Sequence, residues 1–240
     1  AVGCVPCGSG NDYVRNFGAA DQAPFLDFAA QLQAQPCRVD LLQTSLGIGI
    51  DICAAGLDAQ VAYGIPKFRR LPGCGGTAAY TLSILQAMLS RFGHKLRVAI
   101  DGKERSEAIC NGGYYGGGYQ AAPYAAMDDG LLDIVLVKPI SRIQVAGILA
   151  KYKAGRHMQD ADTIVPEFRS FMTFYRARSV EMQVLDNRPI IATIDGECAP
   201  VMELKAQVLP SALNVLLPQP ACNSAVIHGQ YECPLQAKVR

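Results

Sequence analysis

Alternating apolar and polar positions predict that much of the chain forms short β-strands. Leu96, Val98 and Ile100 fall on one face of a strand that ends at the turn pair Asp101-Gly102. Apolar runs bounded by turn residues predict further strands over 46–61, 108–111, 132–138, 180–185, 190–195, 202–209 and 213–217. Short strands at this spacing are typical of an antiparallel β-sandwich-like domain.

Two segments have helical periodicity instead. Residues 75–93 carry an apolar face and end at Gly93, which suits the left-handed position after a helix. Residues 141–154 begin at Ser141, a good N-cap, and stop at Gly155. A few helices among many strands predict an α+β fold.

The first forty residues have a different pattern. Residues 12–33 look helical but are interrupted by Gly18 and Pro24, and a short strand is predicted over 38–42. This arrangement is typical of the end of an α/β unit. We therefore predict three parts: a remnant of an α/β domain, a β-rich domain and a C-terminal tail, over 1–40, 41–218 and 219–240.

Composition excludes several classes of protein. The 240 residues include 22 basic and 21 acidic side chains, so the chain lacks the basic surplus of a nucleic-acid binder. Its apolar stretches are shorter than the roughly 18 residues of a membrane span, and no signal peptide is expected. Nine cysteines in a chain of this length are typical of a reducing cytosol, where disulfides are not expected. The chain begins with Ala1 rather than Met, which is consistent with a fragment or a cleaved product.

The stretch CVPCGSGNDYVRNFG, over 4–18, permits two interpretations. Cys4 and Cys7 could form a redox or metal site, but no second ligand pair follows, and the three histidines have no metal spacing and are expected at the surface. Alternatively, Gly8 and Gly10 around a hydroxyl residue form a turn whose N–H groups suit phosphate oxygens. In that interpretation Asn11 and Asp12 cap the helix that follows, and the cysteines are incidental.

Five segments together resemble the diacylglycerol and sphingosine kinase superfamily. Residues 6–15 are similar to its Pro-x-Gly-Thr-x-Asn-Asp-Phe-x-Arg motif, with Ser9 in place of the threonine. Its Gly-Phe-Asp-Ala, Asn…Gly-Gly-Gly, Pro…Asp-Asp-Gly-x-Leu-Asp and Asp-Gly-Glu elements are matched in order by residues 55–59, 111–118, 122–133 and 194–197. The resemblance extends from about residue 3 to residue 218.

The resemblance implies a role for each motif. Asp195 would be the general base that takes the proton of a lipid hydroxyl group, and Glu197, expected on the same face, would position that base or share a metal with it. Nucleotide phosphates would meet Gly8, Ser9, Asn11 and Asp12. A structural Mg²⁺ would be held by the Asp129 carboxylate and by main-chain carbonyls near Ala126 and Leu131. The roles of Asp58 and of the glycines at 116–118 stay open.

The family's Gly-Gly-Asp-Gly-Thr nucleotide loop is absent from residues 1–240. Residues 73–77 imitate it but lack the aspartate and stand at the start of a predicted helix. By this resemblance, residues 1–40 are a remnant of the nucleotide-binding kinase domain, and the chain alone is expected to be inactive.

The implied activity is ATP-dependent phosphorylation of a lipid, with diacylglycerol as the expected acceptor and phosphatidic acid as the product. The alternative is a catalytically silent lipid-binding or regulatory module. The expected cofactor is Mg²⁺ with ATP as co-substrate, and the expected partners are ATP and a lipid at the membrane surface, without nucleic acid. A cytoplasmic location is expected, with a peripheral position at the inner membrane face and a homodimeric state both left open.

Overall fold

The computed structural model describes residues 1–8, 11–17, 22–74, 76–90, 93–105, 110–111 and 119–218. The helices of these residues are α1 (Asp12–Arg15), α2 (Ala23–Leu26), α3 (Phe28–Gln33), α4 (Leu57–Arg69), α5 (Gly76–Leu89) and α6 (Arg142–Lys153). The strands are β1 (Val2–Gly3), β2 (Pro36–Thr44), β3 (Gly47–Gly49), β4 (Cys53–Ala55), β5 (Leu96–Ile100), β6 (Lys103–Arg105), β7 (Cys110–Asn111), β8 (Leu132–Val137), β9 (Met172–Ala177), β10 (Ser179–Val184), β11 (Ile190–Ile194), β12 (Glu197–Val201) and β13 (Glu203–Leu216).

The described strands form three sheets. A seven-stranded sheet has the order β3-β2-β13-β10-β5-β6, with β1 added beside β13, and a four-stranded sheet has the order β12-β11-β4-β7. Strands β8 and β9 form a separate pair. All of these pairings are antiparallel except that of β1 with β13. The predicted α+β class with antiparallel sheets is confirmed.

One large apolar core joins the three sheets. It includes Val98, Met182 and Leu204 of the seven-stranded sheet, Ala192 of the four-stranded sheet and Leu136 of the strand pair. These side chains are 2% exposed or less. Because residues of all three sheets bury one another, the sheets pack face to face, in a sandwich-like arrangement.

The long strand β13 replaces two predicted strands. Its pairing with β2 continues from Leu209 to Leu213 through a shift in register. Pro210 and Ser211 occupy the irregular part, and Ser211 has a left-handed φ of 51°. Proline removes a hydrogen-bond donor, so the sequence predicted an end where the strand only bulges.

Helix α4 packs on the four-stranded sheet, and α5 packs on α4. Helices α5 and α6 agree with the predicted segments, and α6 carries a complete capping box between Ser141 and Gln144. Helix α4 was not predicted, because residues 46–61 were expected to be strands. Of the helices in the described part, none is long and apolar enough to cross a membrane.

The N-terminal residues pack on the end of the seven-stranded sheet. Val14, Phe17 and Phe25 form a small core with Val215 and Leu217. This packing places α1 beside the segment that joins β3 to β4. The domain boundary near residue 40 stays a prediction.

Candidate active site

Asp195 lies in the two-residue turn that joins β11 to β12. Its φ is 48° and that of Gly196 is 93°, so both residues have left-handed backbone. Hairpin turns with two positive φ values match the twist of their strands and favour Asp-Gly or Asn-Gly pairs. The turn therefore holds the Asp195 side chain at one end of the four-stranded sheet.

Three consecutive backbone N–H groups bind the Asp195 carboxylate. The N–H of Ile50 donates to Oδ2 at 2.7 Å, and the N–H groups of Asp51 and Ile52 donate to Oδ1 at 3.1 and 2.8 Å. The Asp195 residue is nevertheless exposed. A carboxylate fixed in one orientation and open to solvent has the geometry that a general base needs.

Gly49 allows this turn to approach the segment between β3 and β4. A Cβ atom added at Gly49 would lie 2.7 Å from Cγ1 of Ile194 and 3.1 Å from Oδ2 of Asp195. A side chain at position 49 would therefore displace the turn or the carboxylate. Glycine is needed at position 49 because the backbone there lies against the side chains of Ile194 and Asp195. The neighbouring sequence gives no sign of this close approach.

The turn at residues 195 and 196 removes the reason for expecting Glu197 on the same face as Asp195. Residues 195 and 196 form a turn, and Glu197 begins β12 directly opposite Ile194. Side chains two positions apart share a face only in extended backbone. A metal shared by the two carboxylates lacks support from this geometry, and the role of Glu197 in positioning the base stays a prediction.

Two residues of the predicted nucleotide loop bind each other. Asn11 Oδ1 accepts the N–H of Gly8 at 2.7 Å, and Asn11 Nδ2 donates to the carbonyl of Pro6 at 3.4 Å. Asn11 has a left-handed φ of 52°, and its side chain makes no capping hydrogen bond to α1. The expected cap is therefore wrong at Asn11, which closes the loop instead. Ser9 lies outside the described residues.

A buried carboxyl group that sequence reasoning missed lies beside both predicted parts of the site. Asp51 is 9% exposed, and its Oδ1 accepts a 2.8 Å hydrogen bond from Nδ2 of Asn16 at the end of α1. Burial raises the pKa of Asp51 to about 8, and the charges of Asp195 and then Asp12 act in the same direction. An available signal was that this aspartate interrupts the apolar stretch over 46–57.

Two apolar cavities lie side by side, and the first of them reaches the Asp195 turn. The first, of about 290 Å³, is lined by Gly196 and by residues of α4, α5 and α6. The second, of about 490 Å³, extends along α6 towards β8. Leu57, Asp58 and Leu149 line both cavities, so the two share a wall. Asp58, whose role the sequence left open, is the acidic residue of this wall.

The Asp-Asp-Gly loop belongs to a separate ion-pair cluster. Arg176 Nη2 donates to Asp129 Oδ2 at 2.6 Å, and Arg176 Nε donates to Asp133 Oδ1 at 2.9 Å. The other oxygen of Asp129 accepts the N–H of Leu131 at 3.0 Å. Burial raises the pKa of Asp133 to about 6, although Arg176 opposes this change.

This donor set does not fit a tightly held magnesium ion. Both oxygens of Asp129 accept N–H bonds, and the Arg176 guanidinium already supplies a positive charge. Among the residues that the structure describes, no group of three or more His, Cys, Asp or Glu side chains is placed to hold a metal ion. Binding of Mg²⁺ by Asp129 with Ala126 and Leu131 stays a prediction, and we assign that ion no part in the reaction.

The cysteines of the described part are in two states. Cys4 and Cys7 are free thiols, and burial raises the pKa of the Cys4 thiol, which makes it less reactive. Cys37 is disulfide-bonded. The expectation that the chain has no disulfide is therefore wrong at Cys37.

The expectation that histidines lie at the surface is wrong for His157. This residue is 0% exposed, and its Nε2 donates to the carbonyl of Ala121 at 2.9 Å. Burial lowers the pKa of His157 to about 4, so its imidazole is neutral at physiological pH. His94 is half-buried and contacts Asp186 at 3.0 Å, and His228 lies outside the described residues.

Comparisons with known proteins agree with the motif order. The family model described as "YegS C-terminal NAD kinase beta sandwich-like domain" matches residues 51–217. The chain is 28% identical over 227 residues to a "Probable lipid kinase YegS-like" of Shewanella frigidimarina, covering 92% of this chain and 68% of the relative. It is 26% identical over 230 residues to a diacylglycerol kinase of Mycobacterium tuberculosis H37Rv, covering 91% of this chain and 69% of the relative.

A solved structure supports the fold. The crystal structure of a diacylglycerol kinase from Bacillus anthracis aligns with a TM-score of 0.58 at 14% identity, over 91% of this chain and 66% of that protein. The chain thus spans about two thirds of the length of the relatives it matches. Because the family model covers more than half of its residues, the chain belongs to the diacylglycerol and lipid kinase family and carries its YegS C-terminal domain.

Proposed function

We propose that the complete gene product containing this chain transfers the γ-phosphate of ATP to the hydroxyl group of diacylglycerol. The lipid oxygen forms a bond to the γ-phosphorus, the bond between that phosphorus and the bridging oxygen breaks, and ADP leaves with the electron pair. The hydroxyl proton passes to the Asp195 carboxylate. Mg²⁺ enters with ATP as part of the substrate and neutralises phosphate charge.

The observation that carries this proposal is that the turn which holds Asp195 reaches an apolar cavity. Gly196, the next residue in the same turn, lines that cavity together with Thr193. A lipid bound there would present its polar end near a carboxylate that three N–H groups fix in orientation. Such positioning supplies much of the rate enhancement in phosphoryl transfer, where the protein forms no covalent bond.

The size and lining of the cavities support a lipid acceptor. Pockets for small molecules typically measure about 300–1,000 Å³ and are mostly apolar, and the two adjacent cavities measure about 290 and 490 Å³. Val145 and Leu149 of α6 contribute apolar surface to both, while Asp58 offers a polar contact for a glycerol hydroxyl group. The names of the relatives, lipid kinase and diacylglycerol kinase, support the same acceptor class.

Exposed apolar side chains beside the cavities support contact with a membrane surface. Leu89 near the end of α5 is 73% exposed, and Ile143 at the start of α6 is 85% exposed. The end of α5 and the start of α6 lie near each other, because Arg142 Nη2 donates to the carbonyl of Ser90 at 3.1 Å. Apolar and basic side chains together suit the interface of an anionic bilayer, from which a lipid could enter.

A lipid-binding module without catalysis is the second candidate. The cavities favour it, since their apolar lining would hold a lipid whether or not Asp195 accepts a proton. The two candidates therefore differ in phosphate transfer and agree in lipid binding.

The test combines both measurements on the complete gene product. Purified protein is given ATP, Mg²⁺ and vesicles that contain diacylglycerol, monoacylglycerol, ceramide or no added acceptor. We expect phosphorylated lipid from the diacylglycerol vesicles and none from the acceptor-free vesicles. Vesicle binding without any labelled lipid would favour the silent module, and preferred phosphorylation of another lipid would overturn the choice of diacylglycerol.

A further inference from the structure

The segment over 50–52 binds Asp195, and its middle residue, Asp51, also contacts α1 through its side chain. The N–H of Asp51 donates to the Asp195 carboxylate at 3.1 Å. The side chain of the same residue points away from solvent and accepts a 2.8 Å hydrogen bond from Asn16. Asp51 thus connects the base to α1, the helix that follows the predicted nucleotide loop.

The charged and titratable groups around Asp51 are mostly acidic. Asp195 of the β11–β12 turn and Asp12 of α1 interact with its carboxyl group, and both carry negative charge when ionised. The α1 cation, Arg15, is paired with Asp12 at 3.6 Å. Within the described part of the chain, no cationic side chain forms an ion pair with Asp51.

Two further titratable groups face the same region. Tyr13 of α1 interacts electrostatically with Asp51, and its buried hydroxyl group has no hydrogen-bond partner among the described residues. Burial raises the pKa of Tyr13, so this phenol stays neutral. Asp40 of β2 lines a cavity of about 30 Å³ together with Asp51, and both of its oxygens accept backbone N–H groups, of Gly130 and Ser211.

These surroundings favour a neutral carboxyl group. A buried carboxylate without a cation is costly, and two neighbouring carboxylates resist simultaneous ionisation. Asp195 is the more exposed of the two and accepts three N–H bonds, whereas the Asp51 side chain accepts one bond from a neutral amide. The negative charge therefore resides on Asp195 and the proton on Asp51, whose pKa of about 8 agrees with this assignment.

We propose that Asp51 is a positioning residue that must remain protonated for the phosphoryl transfer proposed above. In its neutral form Asp51 ties the segment over 50–52, whose N–H groups bind Asp195, to α1, and it adds no second negative charge beside the Asp195 carboxylate. When Asp51 loses its proton, a second negative charge repels both Asp195 and the incoming ATP phosphates. This role rests on the proposed kinase activity, and it predicts loss of turnover at alkaline pH.

The test is the pH profile of kcat in the complete gene product, at saturating diacylglycerol and ATP. We expect the wild-type kcat to fall about tenfold per pH unit above the pKa of Asp51. Asp51→Asn, which is neutral at every pH and retains an acceptor oxygen for Asn16, should keep its neutral-pH kcat and lose this alkaline decline. Asp133→Asn, in another buried carboxyl group, is the matched control and should decline as the wild type does.

Each outcome decides a separate point. An alkaline decline in Asp51→Asn equal to that of the wild type overturns the role of Asp51 while the kinase activity stands. Absence of phosphorylated lipid with the wild type at every pH overturns the proposed function, and the role of Asp51 with it. If Asp51→Asn fails to fold, carboxyl NMR of ¹³C-aspartate-labelled wild-type protein decides: a group titrating near pH 8 is expected, and its absence overturns the proposal.

Discussion

Replacement of Asp195 with asparagine separates the chemistry of the base from its structural role. The Asn side chain retains one oxygen, which can accept the N–H groups of Asp51 and Ile52. It presents an NH₂ group to the N–H of Ile50, so the 2.7 Å hydrogen bond at that position is lost. Because Asn-Gly is a preferred pair in turns with two positive φ values, the hairpin itself should persist.

The expected magnitudes follow from these contacts. Hydrogen bonds to a charged acceptor contribute about 1.5–3 kcal/mol and neutral ones about 0.5–1.5 kcal/mol. Since the Ile50 bond is exposed and water can replace it, we expect Asp195→Asn to lower the free energy of unfolding by about 1–3 kcal/mol. Removal of a general base lowers kcat by about 10²–10⁴-fold, or about 3–5 kcal/mol in activation free energy.

A second Asp-Gly turn in this chain provides a matched control. Asp101 and Gly102 join β5 to β6 with φ values of 46° and 73°. Oδ1 of Asp101 accepts the N–H groups of Arg178 and Ser179 at 3.0 and 2.9 Å. Neither residue of the Asp101 turn lines an apolar cavity, whereas Gly196 of the Asp195 turn lines the first one. Asp101→Asn therefore removes one charge from an equivalent turn and should leave kcat unchanged.

The assay is steady-state phosphorylation of diacylglycerol in mixed micelles by the complete gene product, with unfolding by urea measured in parallel. We expect the KM for ATP to be similar in wild type, Asp195→Asn and Asp101→Asn, because the nucleotide phosphates are predicted to meet the loop over 8–12 rather than Asp195. A kcat near the wild-type value in folded Asp195→Asn, with lipid at saturation, would refute the assignment of the base.

Two further predictions concern packing and pH. Gly49→Ala should lower kcat, because the added Cβ atom would displace the Asp195 carboxylate. Gly147→Ala is the control and should leave kcat unchanged, because no atom lies within 4 Å of the Cβ atom added there. Equal kcat values in the two variants would contradict the close approach of Gly49 to Asp195. The His157 pKa is lowered from 6.5 to about 4, so the folded state resists its protonation and stability is lost as pH falls. Urea unfolding should show wild type losing about 2 kcal/mol relative to His157→Gln between pH 8 and pH 5. A constant difference would show that His157 is accessible to protons.

The sequence predicts best those elements whose structure depends on residues close together in the chain. The hairpin after Leu96 combines strict alternation with an Asp-Gly turn, and both features lie within ten residues. Helix α4 was missed because the apolar, glycine-containing run over 46–61 predicts strands, and because Gly64 and Pro66 weaken the helical signal of the residues that follow. Its Gly64 lets Ser83 of α5 approach so closely that an added Cβ atom would clash with the Ser83 hydroxyl group.

The sequence likewise predicts one part of the candidate site, the motif residue Asp195, and misses the contacts that distant residues make. Asp195 stands in a recognisable motif, so the sequence could single it out as the proposed base. The three N–H groups that bind its carboxylate could not be predicted. They belong to the backbone of residues 50–52, and every residue except proline has such a donor, so residue type does not reveal them. Arg176 was equally hidden, since its two aspartate partners lie on another strand and a loop.

The central claim is that a diacylglycerol occupies the apolar cavities with its hydroxyl group at Asp195. The most direct measurement is photo-crosslinking of the complete gene product with diacylglycerol that carries a photoreactive group on an acyl chain, followed by mass spectrometry of the labelled peptides. We expect adducts at cavity residues such as Leu57, Val145 and Leu149, reduced by excess unlabelled diacylglycerol. Labelling confined to exposed positions such as Leu89 and Ile143, with no adduct in either cavity, would contradict the claim.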